Sequence, residues 1–257
     1  MSKVLSNWLS QSFLGRLRTR YKNYIEQILT SGYIPKPKPW LLWPSRKLFQ
    51  FWRFLQLGRC NVVGAENLST PGRVIFCPNH SSLFDAIAVH PSMTRPIRTM
   101  GAYESMKGLL GLKAIFLTGV GVFPVDRKNG SSVIKPAVDL LVSGEPLMIF
   151  PEGKIDNSGK LGEFKVGAAY IALSAEQQLQ GKEPVGLVPM HICYGKRNKK
   201  TGDSFNFLKM AFSWRGGVTL HIGKPIWLSE HRGLSAEELM QVLRRKIISL
   251  CPRAYSC

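Results

Sequence analysis

The sequence predicts an α/β protein, in which a mostly parallel mixed sheet is flanked by helices and preceded by an N-terminal amphipathic helical module. Three observations predict this class. Short apolar runs alternate with helix-length segments after residue 73, the 257 residues suffice for one sizeable α/β core, and basic residues concentrate near the N-terminus. We therefore expect a basic amphipathic helical module at residues 1–60 and an α/β domain at residues 61–257.

The N-terminal module contains two segments with helical apolar spacing. Within residues 4–29 large apolar side chains recur close to one helical face, and residues 46–59 resume the pattern with several aromatic residues and flanking arginines. The stretch IPKPKPW at 34–40 predicts an extended linker between them. Two interpretations stay open and are compatible with each other. The helices pack onto the core, or they lie at a membrane interface.

Short apolar runs predict the strands of the sheet, and the longer segments between them predict its helices. The predicted strands are residues 73–77, 96–100, 121–125, 146–150, 186–194 and 218–223. The predicted helices are residues 84–92, 103–111, 131–143, 164–180 and 235–250. This alternation is typical of a mostly parallel sheet that helices cover on both faces. Residues 195–217, which are polar and then aromatic, predict an insertion.

The charge predicts a polyanionic partner, which can be a membrane surface, a nucleic acid or a phosphorylated substrate. The chain has 35 Lys and Arg against 16 Asp and Glu, a net charge of +19. Residues 1–60 contribute +10 of this charge, because eleven basic residues there are opposed only by Glu26. The apolar stretch 108–125 contains Lys113, four glycines and a proline. It predicts a short helix followed by a buried strand, so we expect any membrane contact to be at the surface.

The cysteines and most of the histidines show no pattern of a metal or disulfide framework. Five cysteines are scattered without a C-x-x-C spacing, which favours a reducing compartment. His90, His191, His221 and His231 also lack ligand spacing. We therefore expect these four histidines to be structural or surface residues, and we expect no metal site.

The polar stretch NHSSLFD at 79–85 follows the first predicted strand directly. Open α/β sheets place their ligand sites outside the carboxyl ends of the strands. At such a site Asp85, at the start of a helix, can bond one nitrogen of His80 and leave the other nitrogen as a general base. The alternative is an N-cap aspartate beside an incidental loop histidine, and this stretch taken alone favours that alternative.

Two further strand ends carry polar residues. GVFPVDR at 121–127 ends with Arg127, whose fork of donors matches phosphate oxygens. We expect its guanidinium to be at least partly buried in the same crevice as His80, since parallel strands end at one edge. FPEGK at 150–154 places Glu152 on a Pro/Gly turn, where it can accept hydrogen bonds from substrate hydroxyls or brace the loop. The three elements in this order are more specific than any one of them.

These motifs resemble those of the glycerolipid (lysophospholipid) acyltransferases. NHSSLFD matches that family's N-H-x-S-x-x-D motif, GVFPVDR its G-x-F/I-x-x-x-R element, and FPEG the start of its F-P-E-G-T-R-S motif. VPMHI at 188–192 and FKVG at 164–167 match its V-P-x-x-I and F-K-x-G elements, so the resemblance covers roughly residues 73–228. The chain departs from the family after FPEG, where it has Lys-Ile-Asp and lacks the usual arginine. Lys154 or Lys165 can replace the charge of that arginine but not its bidentate fork.

The resemblance implies acyl transfer from an acyl thioester, either acyl-CoA or acyl carrier protein, to the hydroxyl of a lysophospholipid such as 1-acylglycerol-3-phosphate. It makes His80 the general base and Asp85 the residue that orients it, with Asn79 and Ser82 supporting the loop. Backbone N–H groups at and near Gly153 are candidate oxyanion donors. The implied acceptor-binding residues are Arg127, Glu152, Gly153, Lys154 and Lys165. No cofactor and no metal are implied, because the thioester is a co-substrate.

Two alternatives stay open. An acyltransferase of the same family can use a neutral alcohol, such as a diacylglycerol, a long-chain alcohol or an isoprenoid alcohol; the missing arginine favours this and Arg127 opposes it. A non-enzymatic protein that binds membranes or nucleic acid is permitted by the basic runs at 196–200 and 243–247, although such runs are usually solvated faces. The acyltransferase interpretation expects an anionic membrane surface and no nucleic acid as partner. It also expects a peripheral or monotopic location on the cytoplasmic face.

Overall fold

A computed structural model describes residues 13–31, 34–82, 84–106, 112–156, 160–195 and 216–251 of the chain. Its α-helices are α1 (Phe13–Ser31), α2 (Pro39–Leu57), α3 (Asp85–Val89), α4 (Tyr103–Met106), α5 (Leu112–Gly119), α6 (Ile134–Val142), α7 (Gly167–Leu179) and α8 (Ala236–Leu250). Its strands are β1 (Cys60–Val63), β2 (Arg73–Pro78), β3 (Arg98–Ala102), β4 (Val122–Val125), β5 (Leu147–Met148), β6 (Val185–Tyr194), β7 (Val218–Ile222) and β8 (Ile226–Trp227).

The strands form one eight-stranded mixed sheet in the order β1-β7-β6-β2-β5-β3-β4, with β8 also paired to β6. Strands β2 to β6 run in one direction, since every pairing among them is parallel. Strands β7 and β8 are antiparallel to β6, and β1 is parallel to β7. The carboxyl ends of five strands therefore lie at one edge of the sheet. The predicted fold class, a mostly parallel sheet flanked by helices, is confirmed.

Helices cover both faces of the sheet, and strand β2 shows why. Ile75 and Cys77 pack on one face with α6, α7 and α8, whereas Val74 and Phe76 pack on the other face with α3 and the end of α2. All four side chains are 0% exposed. Alternate residues of a strand point to opposite faces, so a strand buried on both sides has a continuous apolar sequence. This is why the run RVIFC is apolar without alternation.

The six predicted strands are all present, and two more strands are not predicted by the sequence. The first, β1, is a four-residue edge strand in which residues of intermediate exposure alternate with exposed ones. The second, β8, has only two residues. Such short segments do not produce a clear period-2 signal. The predicted insertion at 195–217 lies almost entirely outside the described residues, as do residues 4–12 of the first predicted helix.

The N-terminal helices α1 and α2 pack against the α/β domain. Ile25 and Ile28 of α1 are buried in a cluster with Met106 and Ala114. The segment between the helices is bonded to the domain at two points. The buried Arg98 donates through Nη2 to the Pro35 carbonyl at 2.6 Å, and the Lys38 N–H donates to the Gly119 carbonyl at 2.8 Å.

Helix α2 begins at Pro39, seven residues before the predicted start at 46. A proline at the first helical position has the required φ and needs no N–H acceptor. None of the helices described is long and apolar enough to span a membrane.

Candidate functional site

The NHSSLFD loop lies at the carboxyl end of β2, between β6 and β5 in the middle of the sheet. Strand β2 is completely buried after its first residue, so the loop emerges directly from the core. Asp85 is the first residue of α3 and is fully buried. A chain that turns from a buried strand into a helix within six residues brings the two ends of the loop together. His80 and Asp85 therefore meet although they are five positions apart.

His80 and Asp85 form a hydrogen-bonded pair. The distance from His80 Nδ1 to Asp85 Oδ2 is 2.8 Å, and the side chains are 18% and 0% exposed, respectively. Asp85 Oδ2 also accepts the backbone N–H groups of Ser81 at 2.7 Å and of Ser82 at 2.8 Å. A carboxylate that bonds Nδ1 fixes the tautomer of the ring and leaves Nε2 as the nitrogen that can accept a proton. The bond between the two side chains is the contact that a general base with an orienting carboxylate requires, and Asp85 is therefore not an isolated N-cap aspartate.

The two residues predicted to support the loop make the corresponding contacts. The Asn79 side chain bonds both backbone groups of Ile192 on β6: its Oδ1 accepts the N–H at 2.6 Å, and its Nδ2 donates to the carbonyl at 3.4 Å. Ser82 Oγ accepts the Phe84 N–H at 3.2 Å. Asn79 thus continues the β2–β6 pairing after β2 has ended, because its amide offers the same donor and acceptor as a backbone unit.

The FPEG turn holds His80 from the side opposite to Asp85. Glu152 Oε1 accepts the backbone N–H of His80 at 2.7 Å, and the N–H of Asp156 donates to the His80 carbonyl at 2.9 Å. The ring of Phe150 stacks on the imidazole, with centroids 4.2 Å apart and planes inclined by 28°. Both backbone polar groups and one ring face of His80 are therefore held by residues 150–156. The sequence shows this turn as a motif, but not that it contacts His80.

Glu152 is buried, and both of its oxygens are used within the chain. Its second oxygen, Oε2, accepts the Gly162 N–H at 3.0 Å. Burial raises the pKa of Glu152 above its usual value, and the N–H donors of His80 and Gly162 act in the opposite direction. Of the two roles expected for Glu152, these contacts fit the bracing of the loop. The acceptor-binding role stays a prediction, and each carboxylate oxygen already accepts one backbone N–H.

Gly153, Lys154 and Lys165 form the exposed side of the same turn. Gly153 adopts a φ of +64°, and a Cβ atom there would lie 3.0 Å from Cδ and Cε of Lys165. The Lys165 side chain therefore lies over Gly153, while Lys154 is exposed beside it. The Gly153 N–H donates to the Phe150 carbonyl at 3.0 Å, so it is occupied and does not serve as an oxyanion donor in this arrangement. The two ammonium groups are accessible to an anion.

Arg127 lies in the turn after β4, at the same edge of the sheet as His80, but it is exposed. The expectation of a buried or partly buried guanidinium is wrong. Strand β4 is the edge strand, three positions from β2, which is about 14 Å at roughly 4.8 Å per strand. No ion pair involving Arg127 is found among the described residues. The sequence places Arg127 at the correct edge but does not give the strand order that sets its distance from His80.

Tyr194 belongs to the site although sequence reasoning does not single it out. This residue ends β6, and its hydroxyl donates to Asp85 Oδ1 at 2.5 Å. The two residues are 109 positions apart. The one signal in the sequence is that Tyr194 ends the strand containing the VPMHI motif.

Two of the other histidines have pKa values that are lowered by burial. His90 and His191 are largely buried, and burial lowers the pKa of each to about 4. Arg46 near His90 and His221 near His191 act in the same direction. Both rings are therefore neutral at physiological pH. Groups of three or more potential metal ligands are not found in the part of the chain that the structure describes.

Comparisons with known proteins identify a family of related sequences. A family model described as Acyltransferase matches residues 59–193. The chain is 30% identical over 119 residues to a 1-acyl-sn-glycerol-3-phosphate acyltransferase of Chlamydomonas reinhardtii, which covers 46% of this chain and 36% of that protein. It is 27% identical over 215 residues to a chloroplastic 1-acyl-sn-glycerol-3-phosphate acyltransferase of Arabidopsis thaliana, covering 80% and 51%. This chain thus spans between a third and about half the length of these two relatives.

This chain aligns with a larger share of a bacterial relative and of a protein of known structure. The chain is 23% identical over 190 residues to a 1-acyl-sn-glycerol-3-phosphate acyltransferase of Borreliella burgdorferi, covering 73% of this chain and 69% of that protein. The crystal structure of a 1-acyl-sn-glycerophosphate acyltransferase, PlsC, from Thermotoga maritima superimposes with a TM-score of 0.57 at 19% identity. That superposition covers 92% of this chain and 96% of the other. At this identity the likeness is one of fold.

Proposed function

Because the chain belongs to the acyltransferase family, we propose that it moves a fatty acyl group from an acyl thioester to the hydroxyl of a lysophospholipid. The proposed acceptor is 1-acylglycerol-3-phosphate, and the product is then phosphatidic acid. The proposed donor is acyl-CoA or acyl carrier protein. The names of the curated relatives support this acceptor, since each is called a 1-acyl-sn-glycerol-3-phosphate acyltransferase.

The observation that carries the proposal is the 2.8 Å bond between His80 Nδ1 and Asp85 Oδ2 at the carboxyl end of a central strand. The 18% exposure of the His80 side chain leaves access to the ring. In the proposed reaction Nε2 of His80 takes the proton of the acceptor hydroxyl, and the hydroxyl oxygen attacks the thioester carbonyl carbon. Collapse of the tetrahedral intermediate breaks the C–S bond. The proton on His80 then passes to the leaving thiolate.

Asp85 and the FPEG turn have distinct parts in this mechanism. Asp85 stabilises the imidazolium that forms when Nε2 is protonated, since its carboxylate accepts the Nδ1 proton in a charge-assisted bond. Glu152 and Asp156 hold the backbone of His80, so the ring does not move away as charge develops. No protein nucleophile is required, because the acceptor hydroxyl attacks the donor directly.

The exposed cations at this edge are the proposed phosphate contacts. Lys154 and Lys165 lie on the turn that holds His80, so they are the closer candidates. Arg127 is about 14 Å to the side, which suits a phosphate that lies away from the reacting hydroxyl or one that approaches along the surface. Two lysines and an exposed arginine can attract a phosphomonoester, but they do not form a preformed bidentate pocket.

A neutral lipid alcohol remains the second candidate acceptor, and two observations favour it. After FPEG the chain has Lys154, Ile155 and Asp156 and lacks the family's arginine, and Arg127 is exposed in the turn after the edge strand β4. Diacylglycerol and long-chain or isoprenoid alcohols carry a hydroxyl but no phosphate. Acyl transfer to such an acceptor needs a general base and apolar contacts for the lipid. It does not need the cationic side chains of Lys154, Lys165 and Arg127.

The test incubates the purified full-length protein with labelled acyl-CoA, and separately with labelled acyl carrier protein, in detergent–lipid micelles. Acceptors are 1-acylglycerol-3-phosphate, a diacylglycerol and a long-chain alcohol, and His80→Ala is the matched inactive control. We expect labelled phosphatidic acid as the main product. A labelled neutral ester as the main product would establish the second candidate instead. If no acceptor is acylated by the wild-type protein, the proposed function is wrong.

We also propose that the protein works on an anionic membrane surface, which it contacts through α2. The outward face of this helix exposes large apolar side chains at helical spacing. The most exposed are Trp40 (70%), Trp43 (69%), Phe51 (61%), Phe54 (56%), Leu48 (46%) and Leu55 (41%). The ammonium groups of Lys38 and Lys47 lie 5.9 and 5.8 Å from the ring centroids of Trp40 and Trp43, respectively. An aromatic face bordered by cations is typical of helices that lie in the interface of anionic bilayers.

The proposed location is the cytoplasmic face of a membrane. Cys60, Cys77, Cys193 and Cys251 are free thiols, which is typical of a reducing compartment. The acyl acceptor and the product are membrane lipids. A protein held at the surface by α2 then meets them without leaving the interface.

A further inference from the structure

We propose that Tyr194 is a positioning residue for acyl transfer, acting through Asp85 on His80. The inference rests on the proposed function, because it concerns the same pair of residues. It assigns a role to a side chain that no sequence motif singles out. The evidence is the 2.5 Å bond from the Tyr194 hydroxyl to Asp85 Oδ1.

The two oxygens of Asp85 are held differently. Oδ2 receives three donors: His80 Nδ1 and the backbone N–H groups of Ser81 and Ser82. For Oδ1, the Tyr194 hydroxyl is the one donor found in the part of the chain that the structure describes. Asp85 is 0% exposed, so bulk water has no access with which to replace a missing donor. Loss of the hydroxyl therefore leaves one carboxylate oxygen buried without a hydrogen bond, which is energetically costly.

The fold places Tyr194 independently of its own hydroxyl. The parallel pairing of β2 with β6 ends at Pro78 and Met190, and the Asn79 side chain then bonds both backbone groups of Ile192. Ile192 and Tyr194 are alternate residues of one strand and point to the same face. Ile192 is buried in the core cluster against which Tyr194 packs. Removal of the hydroxyl alone should thus leave β6 and the loop in place.

The role follows from what a carboxylate must do during the reaction. With both oxygens bonded, the Asp85 carboxylate cannot rotate about its Cβ–Cγ bond, so Oδ2 stays directed at Nδ1 of His80. With Oδ1 free, this rotation is opposed only by the bonds to Oδ2, and the imidazole can turn with it. The interaction matters most when His80 carries the proton, since that is when the carboxylate must stabilise a cation. Tyr194 should therefore affect turnover more than substrate binding.

The experiment measures kcat and KM for both substrates in the full-length Tyr194→Phe protein. The matched control is Tyr170→Phe, because Tyr170 lies on α7 outside the described site and is 48% exposed. We expect Tyr194→Phe to lower kcat about tenfold or more, with KM values changed by less than about twofold. The control should keep wild-type values. Thermal unfolding of both variants is recorded, and rates are measured well below the lower transition.

A second arm repeats the hydroxyl deletion in the Asp85→Asn background. There the carboxylate is already absent, so the further loss should be less than about threefold. An unchanged kcat in Tyr194→Phe overturns the inference. So does a rise in KM without a fall in kcat, or an equal loss in both backgrounds. His80→Ala is assayed in parallel. If it keeps normal turnover, the proposed function has failed; if it is inactive while Tyr194→Phe is normal, only the role of Tyr194 has failed.

Discussion

The loop after β2 and the outward face of α2 differ in where their side chains find partners. In the loop, the oxygens of Asp85 and Glu152 all receive donors from this chain, and His80 is held by its backbone and by its ring. On α2, large aromatic side chains such as Trp40 and Trp43 are mostly exposed. The comparison shows that the geometry of the loop is held by contacts within the polypeptide. The described residues leave the aromatic side chains of α2 mostly exposed, and we propose that a membrane surface covers them.

The largest expected effect is at the loop. His80→Ala removes the proposed base, and we expect kcat to fall by about 10²–10⁴-fold. The thermal transition should change little, because the ring is partly exposed and its backbone bonds remain. Initial rates of labelled product formation measure this effect, and His231→Ala is the matched control on a distant turn. Near-normal turnover in His80→Ala would show that the tightly bonded loop is structural and not catalytic.

On α2, the double variant Trp40→Ala with Trp43→Ala should weaken binding to anionic vesicles by about tenfold or more. Each buried aromatic side chain contributes on the order of 1.5–3 kcal/mol, and 1.4 kcal/mol corresponds to a tenfold change. Sedimentation with vesicles that contain anionic lipid measures the partition, and Tyr170→Ala removes an exposed aromatic residue elsewhere. Unchanged sedimentation of the double variant would contradict a membrane role for this face. Unfolding temperatures should remain close to wild type in all variants, since these rings are outside the core.

A third prediction concerns the turn that braces the loop. Glu152→Gln replaces one of two acceptor oxygens by an NH₂ group, which then faces a backbone N–H of His80 or Gly162. We expect a loss of stability of about 1–3 kcal/mol and a several-fold lower kcat. Chemical denaturation and initial rates measure the two effects, with Glu163→Gln as the exposed neighbouring control. A rise in the KM of the lipid acceptor with unchanged stability would instead support the acceptor-binding role of Glu152.

The smallest expected effect is at Arg127, which resembles the α2 face because it is exposed and its proposed partner lies outside the chain. Arg127→Ala should raise the KM for 1-acylglycerol-3-phosphate several-fold and leave the KM for the acyl thioester unchanged. The effect is modest because an exposed charge pair contributes only about 0.2–1 kcal/mol. Lys128→Ala, at the next exposed position, is the matched control. Equal effects on charged and neutral acceptors would mean that Arg127 does not contact the phosphate.

The sequence predicts those features that are formed by residues close to one another along the chain. The apolar runs predict six of the strands, and NHSSLFD together with the motifs at two further strand ends predicts that His80 pairs with Asp85. Contacts between distant segments are not predicted. Glu152 bonds the backbone of His80 across 72 positions, and Tyr194 reaches Asp85 across 109. The exposure of Arg127 depends on the strand order, which local periodicity does not contain.

The bond between Arg98 and the Pro35 carbonyl has a consequence for how the protein is made. The two residues are 63 positions apart, so at about 5–20 residues per second the ribosome adds Arg98 roughly 3–13 seconds after Pro35. Helices α1 and α2 are made before the strands from β2 onward, and for those seconds Ile25 and Ile28 lack the partners Met106 and Ala114 that they contact in the folded domain. We therefore expect nascent chains to reach a membrane or a chaperone through these helices before the sheet exists.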